Sequence, residues 1–195
     1  NLQEIEHIHP ISERIQAVKR FRENAGTRAK TAINRPHKFA WINKRKGNQI
    51  IIPTVFSESR PFITAGFLPS NFIISNAASI VQTGRLDIFA IISSTMHICW
   101  VRAIAGKLGT SLRYTGTTCY NTFPIPNLTE KNKEDLTRCA KAILLAREVH
   151  FPDTMADLYY PDKMPENLKA AHDRNDEVLD RIYIGRRFKN DTERL

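Results

Sequence analysis

The apolar positions of the chain change period along its length. In residues 10–24 they fall at Ile11, Ile15, Val18 and Phe21, the spacing of one helix face, and Gly26 stands where such a helix would end. Residues 27–37 are polar and broken by Pro36, which predicts a loop. Residues 39–43 and 49–55 read as strands, joined by Lys44-Arg45-Lys46-Gly47-Asn48, a hairpin tip with three consecutive cations. Short apolar runs at 61–67, 72–75 and 79–82, bounded by Pro, Gly and Asn, suit further strands of one sheet. Residues 86–105 are apolar on nearly every face, with Phe89, Ile91, Ile92, Met96, Ile98 and Trp100, and predict a helix buried against that sheet and stopped by Gly106.

Pro124-Ile125-Pro126 then marks a boundary. Thr129 is placed to cap a helix with Leu136, Ala140, Ile143 and Leu144 on one face, ending before Pro152. After a short connection carrying Leu158, Tyr159 and Tyr160, a last helix starts near Pro165. It turns Leu168, Ala171, Asn175, Val178, Leu179 and Ile182 inward and ends at Gly185, and Arg186, Arg187 and Lys189 beyond it are expected to fray. The pattern predicts a mixed α+β fold: a small β-sheet domain packed with helices over residues 1–127, followed by a helical C-terminal appendage over 128–195.

Charge sharpens this division. The net charge of +9 is unevenly spread: residues 1–127 hold sixteen Lys and Arg against six Asp and Glu, and residues 128–195 hold thirteen against fourteen. An excess confined to the first two thirds points to a polyanion, since cations that displace counterions from a phosphate backbone gain affinity by releasing them. Nucleic acid is the leading partner; a solvated basic face, or one that meets a protein, gives the same distribution. Between Pro61 and Asn127 only Arg85, Asp87, Arg102, Lys107 and Arg113 are charged, which marks that stretch as core.

Several kinds of chemistry find no support. No stretch approaches the roughly 18 apolar residues of a spanning helix, and the first residues form neither a basic leader nor an apolar signal core, so a cytoplasmic protein without a membrane partner is expected. A chain opening on Asn1 is expected of a piece of something longer. Cys99, Cys119 and Cys139 are far apart and read as reduced thiols, and His7 and His9 have no second ligand pair, so no metal is expected. There is no Gly-rich phosphate loop and no nucleophile elbow. Asn34-Arg35-Pro36-His37 lacks the second proline and the ring of an amino-methyltransferase site, and Pro161-Asp162 with Glu166 and Lys169 has the wrong spacing for a metal-dependent nuclease. No catalytic residue is expected.

The segment Lys107-Leu-Gly-Thr-Ser-Leu-Arg-Tyr-Thr-Gly-Thr-Thr118 stands out, being rich in Gly, Thr and Ser and carrying Lys107, Arg113 and Tyr114. A loop of this kind can read base edges, or it can be an ordinary surface turn.

Six segments in order resemble one family: Arg14 to Arg22, Ile52-Pro-Thr-Val-Phe-Ser-Glu-Ser-Arg60, Gly66-Phe-Leu68, Met96-His-Ile-Cys-Trp-Val-Arg102, Tyr120-Asn-Thr-Phe-Pro124, and Ala156-Asp-Leu-Tyr159 followed by Met164-Pro165. Together they are similar to the C-terminal part of the MmeI-like DNA methyltransferases, which include the single-chain type IIL restriction-modification enzymes. The resemblance implies that residues 1 to about 127 are a target recognition domain and that the rest is a helical C-terminal segment. It implies double-stranded DNA and an upstream methyltransferase domain of the same chain as partners. S-adenosylmethionine would be held by that domain and no cofactor by this one.

The resemblance also places base readers in three segments: Ser57 to Arg60, the stretch with Asn76 and Ser79, and Gly109 to Thr115 with Thr110, Ser111, Arg113 and Tyr114. Arg113 leads, because a guanidinium can bond guanine O6 and N7 together. Lys44, Arg45, Lys46, Lys107 and Arg102 are expected at phosphates, although Arg102, on the apolar helix, also suits a structural role. His97, Trp100, Tyr120, Asn121 and Phe123 are expected to pack in the core.

Overall fold

The structure, a computed structural model, describes residues 2–5, 7–40 and 47–195. By its contacts the chain divides into two units, Asn1–Lys44 and Arg45–Leu195.

The first unit contains α1 (Leu2–Ile5), α2 (His9–Asn24) and α3 (Thr27–Lys30), the last within the segment expected to be a loop. In α2 the sole buried side chain is Arg22; Ile11 and Val18 are partly exposed and Phe21 is open to solvent. The apolar stripe of this helix is therefore not what folds the unit. Arg22 instead reaches across to the next turns, donating from Nη1 to Ala32 O at 2.7 Å and Arg35 O at 2.9 Å and from Nη2 to Lys38 O at 2.8 Å. One guanidinium thus ties together three carbonyls of successive short turns, two of which, Ala32 O and Arg35 O, also accept a backbone N–H within their turns.

The second unit holds two small antiparallel sheets. In the first, β1 (Asn48–Pro53) lies between β3 (Gly66–Pro69) and β4 (Ala78–Val81). Its Asn48–Ile51 pair with β3 and its Ile50–Pro53 with β4. Of the expected hairpin partner at 39–43, Phe39 and Ala40 lie in no strand, and residues 41–46, with Lys44, Arg45 and Lys46, lie outside the described residues. Residues 61–65 and 72–75 are likewise not strands. In the second sheet β6 (Ser111–Arg113) lies between β2 (Val55–Ser57) and β5 (Gly106–Leu108). Gly106 therefore opens a strand and does not stop a helix. The β5–β6 turn passes through Gly109 at φ +60°, a conformation that favours glycine.

The expected long helix at 86–105 is two, α4 (Leu86–Ile92) and α5 (Thr95–Ile104), bent by 54°. Ser94 makes the break: its Oγ donates to Ile91 O at 2.7 Å and accepts the His97 N–H at 3.1 Å, capping α5. Among the described residues no single helix is long and apolar enough to cross a membrane. A π-turn (Gly116–Tyr120) follows β6. Next come α6 (Glu130–Glu148), capped by Thr129 as expected, α7 (Met155–Leu158), α8 (Glu166–Ile184), ended by Gly185 at φ +77°, and α9 (Asp191–Arg194).

These last helices share one core with the sheets. Ile50, Ile52, Phe56 and Leu112 from the strands, Phe89, Ile91 and Ile98 from α4 and α5, and Leu136, Ile143, Leu168 and Leu179 from α6 and α8 form one buried cluster. Each fully buried side chain of this size contributes about 1.5–3 kcal/mol. The compact unit accordingly runs through position 127, and the balanced charge of the C-terminal third belongs to its outer faces.

Inside that core lies a polar chain. Arg147 of α6 donates from Nη1 to Ala65 O at 2.7 Å and from Nε to the Tyr159 hydroxyl at 2.7 Å. His172 Nδ1 lies 3.0 Å from Ser93 O, a carbonyl that can only accept, so Nδ1 carries the proton and Nε2 accepts from the Tyr159 hydroxyl at 2.7 Å. Beside it Asn175 donates to Ala90 O at 2.8 Å, and Asp176 accepts Thr95 N–H at 2.8 Å and Thr95 Oγ–H at 2.5 Å. Three residues of α8 therefore hold the chain around the break between α4 and α5.

The tail expected to fray is tied down. Arg194 pairs with buried Asp180 at 3.0 Å, Arg187 is bidentate to Asp173 at 2.9 Å for both contacts, and Arg186 pairs with Glu193.

Burial pushes His172 down to about 3, with the Arg147 charge acting the same way, and pushes His97 to about 3. The ordinary value is 6.5, so between these limits the unfolded chain binds protons that the folded chain refuses. Their contribution to stability is complete above pH 6.5 and is lost as pH falls towards 3. Asp176, raised by burial to about 6 from 3.8 against its hydrogen bonds from Thr95, opposes this between those two values. We expect the urea midpoint to fall on acidification from pH 7 to 5, and to fall less in His172→Gln; equal pH dependence in the two proteins would contradict the assignment. Tyr159→Phe, which leaves Arg147 Nε and His172 Nε2 without their shared partner, should cost about 1–3 kcal/mol of unfolding free energy by urea titration.

Candidate nucleic-acid interface

β1 and β2 are separated by the single residue Thr54, through which the chain passes from one sheet to the other. Thr54 donates its N–H to Ala77 O at 2.9 Å and its Oγ–H to Asn76 O at 3.4 Å, and its own carbonyl accepts Tyr114 N–H at 2.8 Å. The three segments named from the sequence, 57–60, 76–79 and 109–115, are thereby bonded to one short piece of chain, Thr54 and the strand after it.

On the second sheet, cross-strand partners share a face. Leu112 and Phe56 oppose each other and are buried, so the residues alternating with them point outward. Arg113 lies opposite Val55 and Gly106, and Ser111 opposite Ser57 and Leu108. The outer face thus gathers Ser57, Ser111 and Arg113 together with the exposed apolar side chains of Val55 and Leu108. Arg113 is exposed, and its side chain has no hydrogen bond or ion pair among the described residues. Gly106 beside it has no side chain to cover it, and Thr110 is exposed in the turn. Asn76 is exposed in the turn before β4, and Ser79, half-buried, is paired with Ile52 on the core side of the first sheet.

Other expected site residues are placed differently. Tyr114 cannot present its ring to a ligand at this surface: it is 1% exposed, with its hydroxyl 3.1 Å from His97 Nε2, because strand alternation turns it inward from Arg113. Burial raises that hydroxyl far above its ordinary value. His97, with Phe123 edge-on at 4.4 Å, belongs to the same packing. Arg60 is half-buried and donates to Met155 O at 3.3 Å. Lys107 spans 3.0 and 2.9 Å to the two carboxylate oxygens of Glu58, and Arg102 donates to Arg60 O at 2.9 Å. Neither Glu58 nor Thr54 was singled out in the sequence. The signal was there for Thr54: Pro53, which cannot donate to a ladder, interrupts an otherwise unbroken strand pattern from Gln49 to Ser57.

Among the described residues no three His, Cys, Asp or Glu side chains converge as metal ligands. The three thiols are buried and unpaired.

The chain spans about a fifth to a quarter of the length of the relatives it resembles. It is 37% identical over 187 residues to DNA methyltransferase A of Bacillus subtilis (strain 168), an alignment that covers 95% of this chain and 21% of that protein. Its fold superposes, at a TM-score of 0.90 and 33% identity, on the type IIL restriction-modification enzyme MmeI solved in complex with DNA, covering 100% of this chain and 26% of that one. The family model described as "MmeI, target recognition domain" matches residues 1–127 and that described as "MmeI, C-terminal domain" matches residues 128–195. Matched from end to end by these two models in their family order, the chain belongs to the MmeI family.

Proposed function

We propose that this chain is a DNA sequence-recognition module of a restriction-modification adenine methyltransferase, with base readout by residues 1–127 and support from 128–195. The observation that carries the proposal is the outer face of the second sheet. A strand presents the Arg113 side chain without a hydrogen bond or ion pair among the described residues, flanked by the hydroxyls of Ser57 and Ser111 and by the apolar Val55 and Leu108. These groups match what a major groove displays: a guanidinium pairs with guanine O6 and N7, hydroxyls serve as donor or acceptor, and aliphatic side chains meet the thymine methyl. Thr110 in the adjoining turn and Asn76, whose carbonyl accepts from Thr54, extend the same surface, whereas Ser79 faces the core. Basic residues 44–46 serve phosphate, which fixes register without specifying sequence.

Methyl transfer in this proposal belongs to an upstream domain of the same protein, with S-adenosylmethionine as its methyl donor. The described residues do not fit that cofactor. Both sheets are antiparallel, so no parallel strand, glycine turn and helix are formed to seat a nucleoside, and no transfer step is assigned to these residues. The module's task is to hold duplex DNA so that the target base can leave the stack.

Binding to a mixed-sequence duplex, followed by fluorescence anisotropy from about 50 to 200 mM salt, should weaken steeply, by a slope of about 0.9 per phosphate contacted. An affinity indifferent to salt would favour a protein partner for the basic face. Arg113→Ala in the full-length protein should relax preference at one base position, about 1–3 kcal/mol of discrimination. An unchanged methylation motif would remove Arg113 from the readers.

A further inference from the structure

The turn that carries Ser57 is held from three sides. Its own bonds are local: Arg60 N–H donates to Ser57 O at 3.2 Å, and the Ser57 and Ser59 hydroxyls lie 2.8 Å apart. From β5, Lys107 clamps the Glu58 carboxylate; towards α7, Arg60 reaches Met155 O. From α5, Arg102 Nη2 donates to Arg60 O at 2.9 Å and Glu58 O at 3.4 Å, while its Nη1 lies 3.9 Å from Asp191 Oδ2 on α9.

Asp191 is not on a loose end. Its helix is fixed by the Arg194–Asp180 pair, whose side chains are 12% and 3% exposed, by Phe188 N–H donating to Asp180 at 3.2 Å, and by Glu193, which accepts from Arg186 and from Lys189 N–H. A continuous line of contacts therefore runs from α8 through α9 and Arg102 to the turn, and from Ser57 to Ser111 on β6. The planar guanidinium suits this place, since one fork serves two carbonyls and a carboxylate. Turning it out to a phosphate would leave the carbonyls of Glu58 and Arg60 without this donor.

We propose that Arg102 is a positioning residue for base readout, through which the C-terminal tail fixes the 57–60 turn beside Ser111 and Arg113, and that it is not a phosphate ligand. The inference rests on the reading of this chain as a DNA-recognition module, and it makes residues 128–195 part of the specificity apparatus.

The test uses the full-length protein that carries this chain, with Arg102→Gln, Arg102→Lys and Asp191→Asn. Binding is measured by anisotropy across salt, to the duplex enriched by the unsubstituted protein from a randomised pool and to its single-base variants. All three substitutions should lower discrimination about tenfold at one or two positions while the salt slope stays that of the parent. Lysine keeps the charge but loses the fork, so it should not rescue. A slope reduced by about 0.9 in Arg102→Gln, with preference intact and rescue by lysine, would make Arg102 a phosphate ligand and overturn the inference. Should Arg102→Gln fail to fold, the half-exposed Asp191 decides: unchanged discrimination in Asp191→Asn overturns the coupling. Absence of duplex binding by the unsubstituted protein would overturn the recognition reading itself, and this inference with it.

Discussion

The Arg147 guanidinium lies inside the core, against the rings of Phe89 and Tyr159 at 5.3 and 5.0 Å, and several elements of the larger unit converge to supply partners for its Nε and Nη1. A charge without partners there would cost several kcal/mol. Its donors go to Ala65 O, on the approach to β3, and to the Tyr159 hydroxyl, which passes the chain on to His172 and Ser93 O. Each member comes from a different element, so the chain of bonds is complete only when the approach to the sheet, the bent helix pair and the two long C-terminal helices are all in place. Stacking of His172 on Phe62 at 4.0 Å closes the same site with apolar contact. A network of this kind favours a single arrangement of its elements, since a shift of any one of them breaks a buried hydrogen bond.

That rigidity is what the outer face of the second sheet uses. β6 is three residues long and β2 likewise, too short to be stable as an isolated ribbon. They hold because Phe56 and Leu112 are anchored in the shared core and because Thr54 ties the second sheet to the first. The exposed side of each strand is then free to carry Ser57, Ser111 and Arg113 at fixed separations. Base discrimination depends on such fixed placement, because a bidentate contact is lost with small displacements of the guanidinium.

The cations divide into two populations that composition cannot separate. Arg22 and Arg147 are buried and serve carbonyls; Arg102 and Lys107 brace the 57–60 turn; Arg85 is paired with buried Asp87 at 2.5 Å. Arg113 is exposed, and its side chain has no hydrogen bond or ion pair among the described residues. Net charge counts these groups alike and does not tell an unpaired guanidinium from one that braces a turn.

Local chemistry settled much in advance. The Thr129 cap, the helix ending at Gly185, the apolar identity of residues 61–127 and the ordered motifs of the MmeI family were all legible, because caps, glycine stops and motif order are properties of neighbouring residues. Strand partners, the break at Ser93-Ser94 and the roles of individual arginines were not. An apolar run of twenty residues reads the same whether it is straight or bent, and Ser94 marks a bend only because α8 supplies His172, Asn175 and Asp176 to hold the chain around it. Tyr114 looked as available as Arg113 until the pairing of β6 with β2 fixed which of the two faces the core. The sequence by itself determined which segments fold and to which family they belong; only the tertiary structure decided which side chains lie exposed and which are taken up in internal contacts, because burial and hydrogen-bond satisfaction are set by residues distant along the chain.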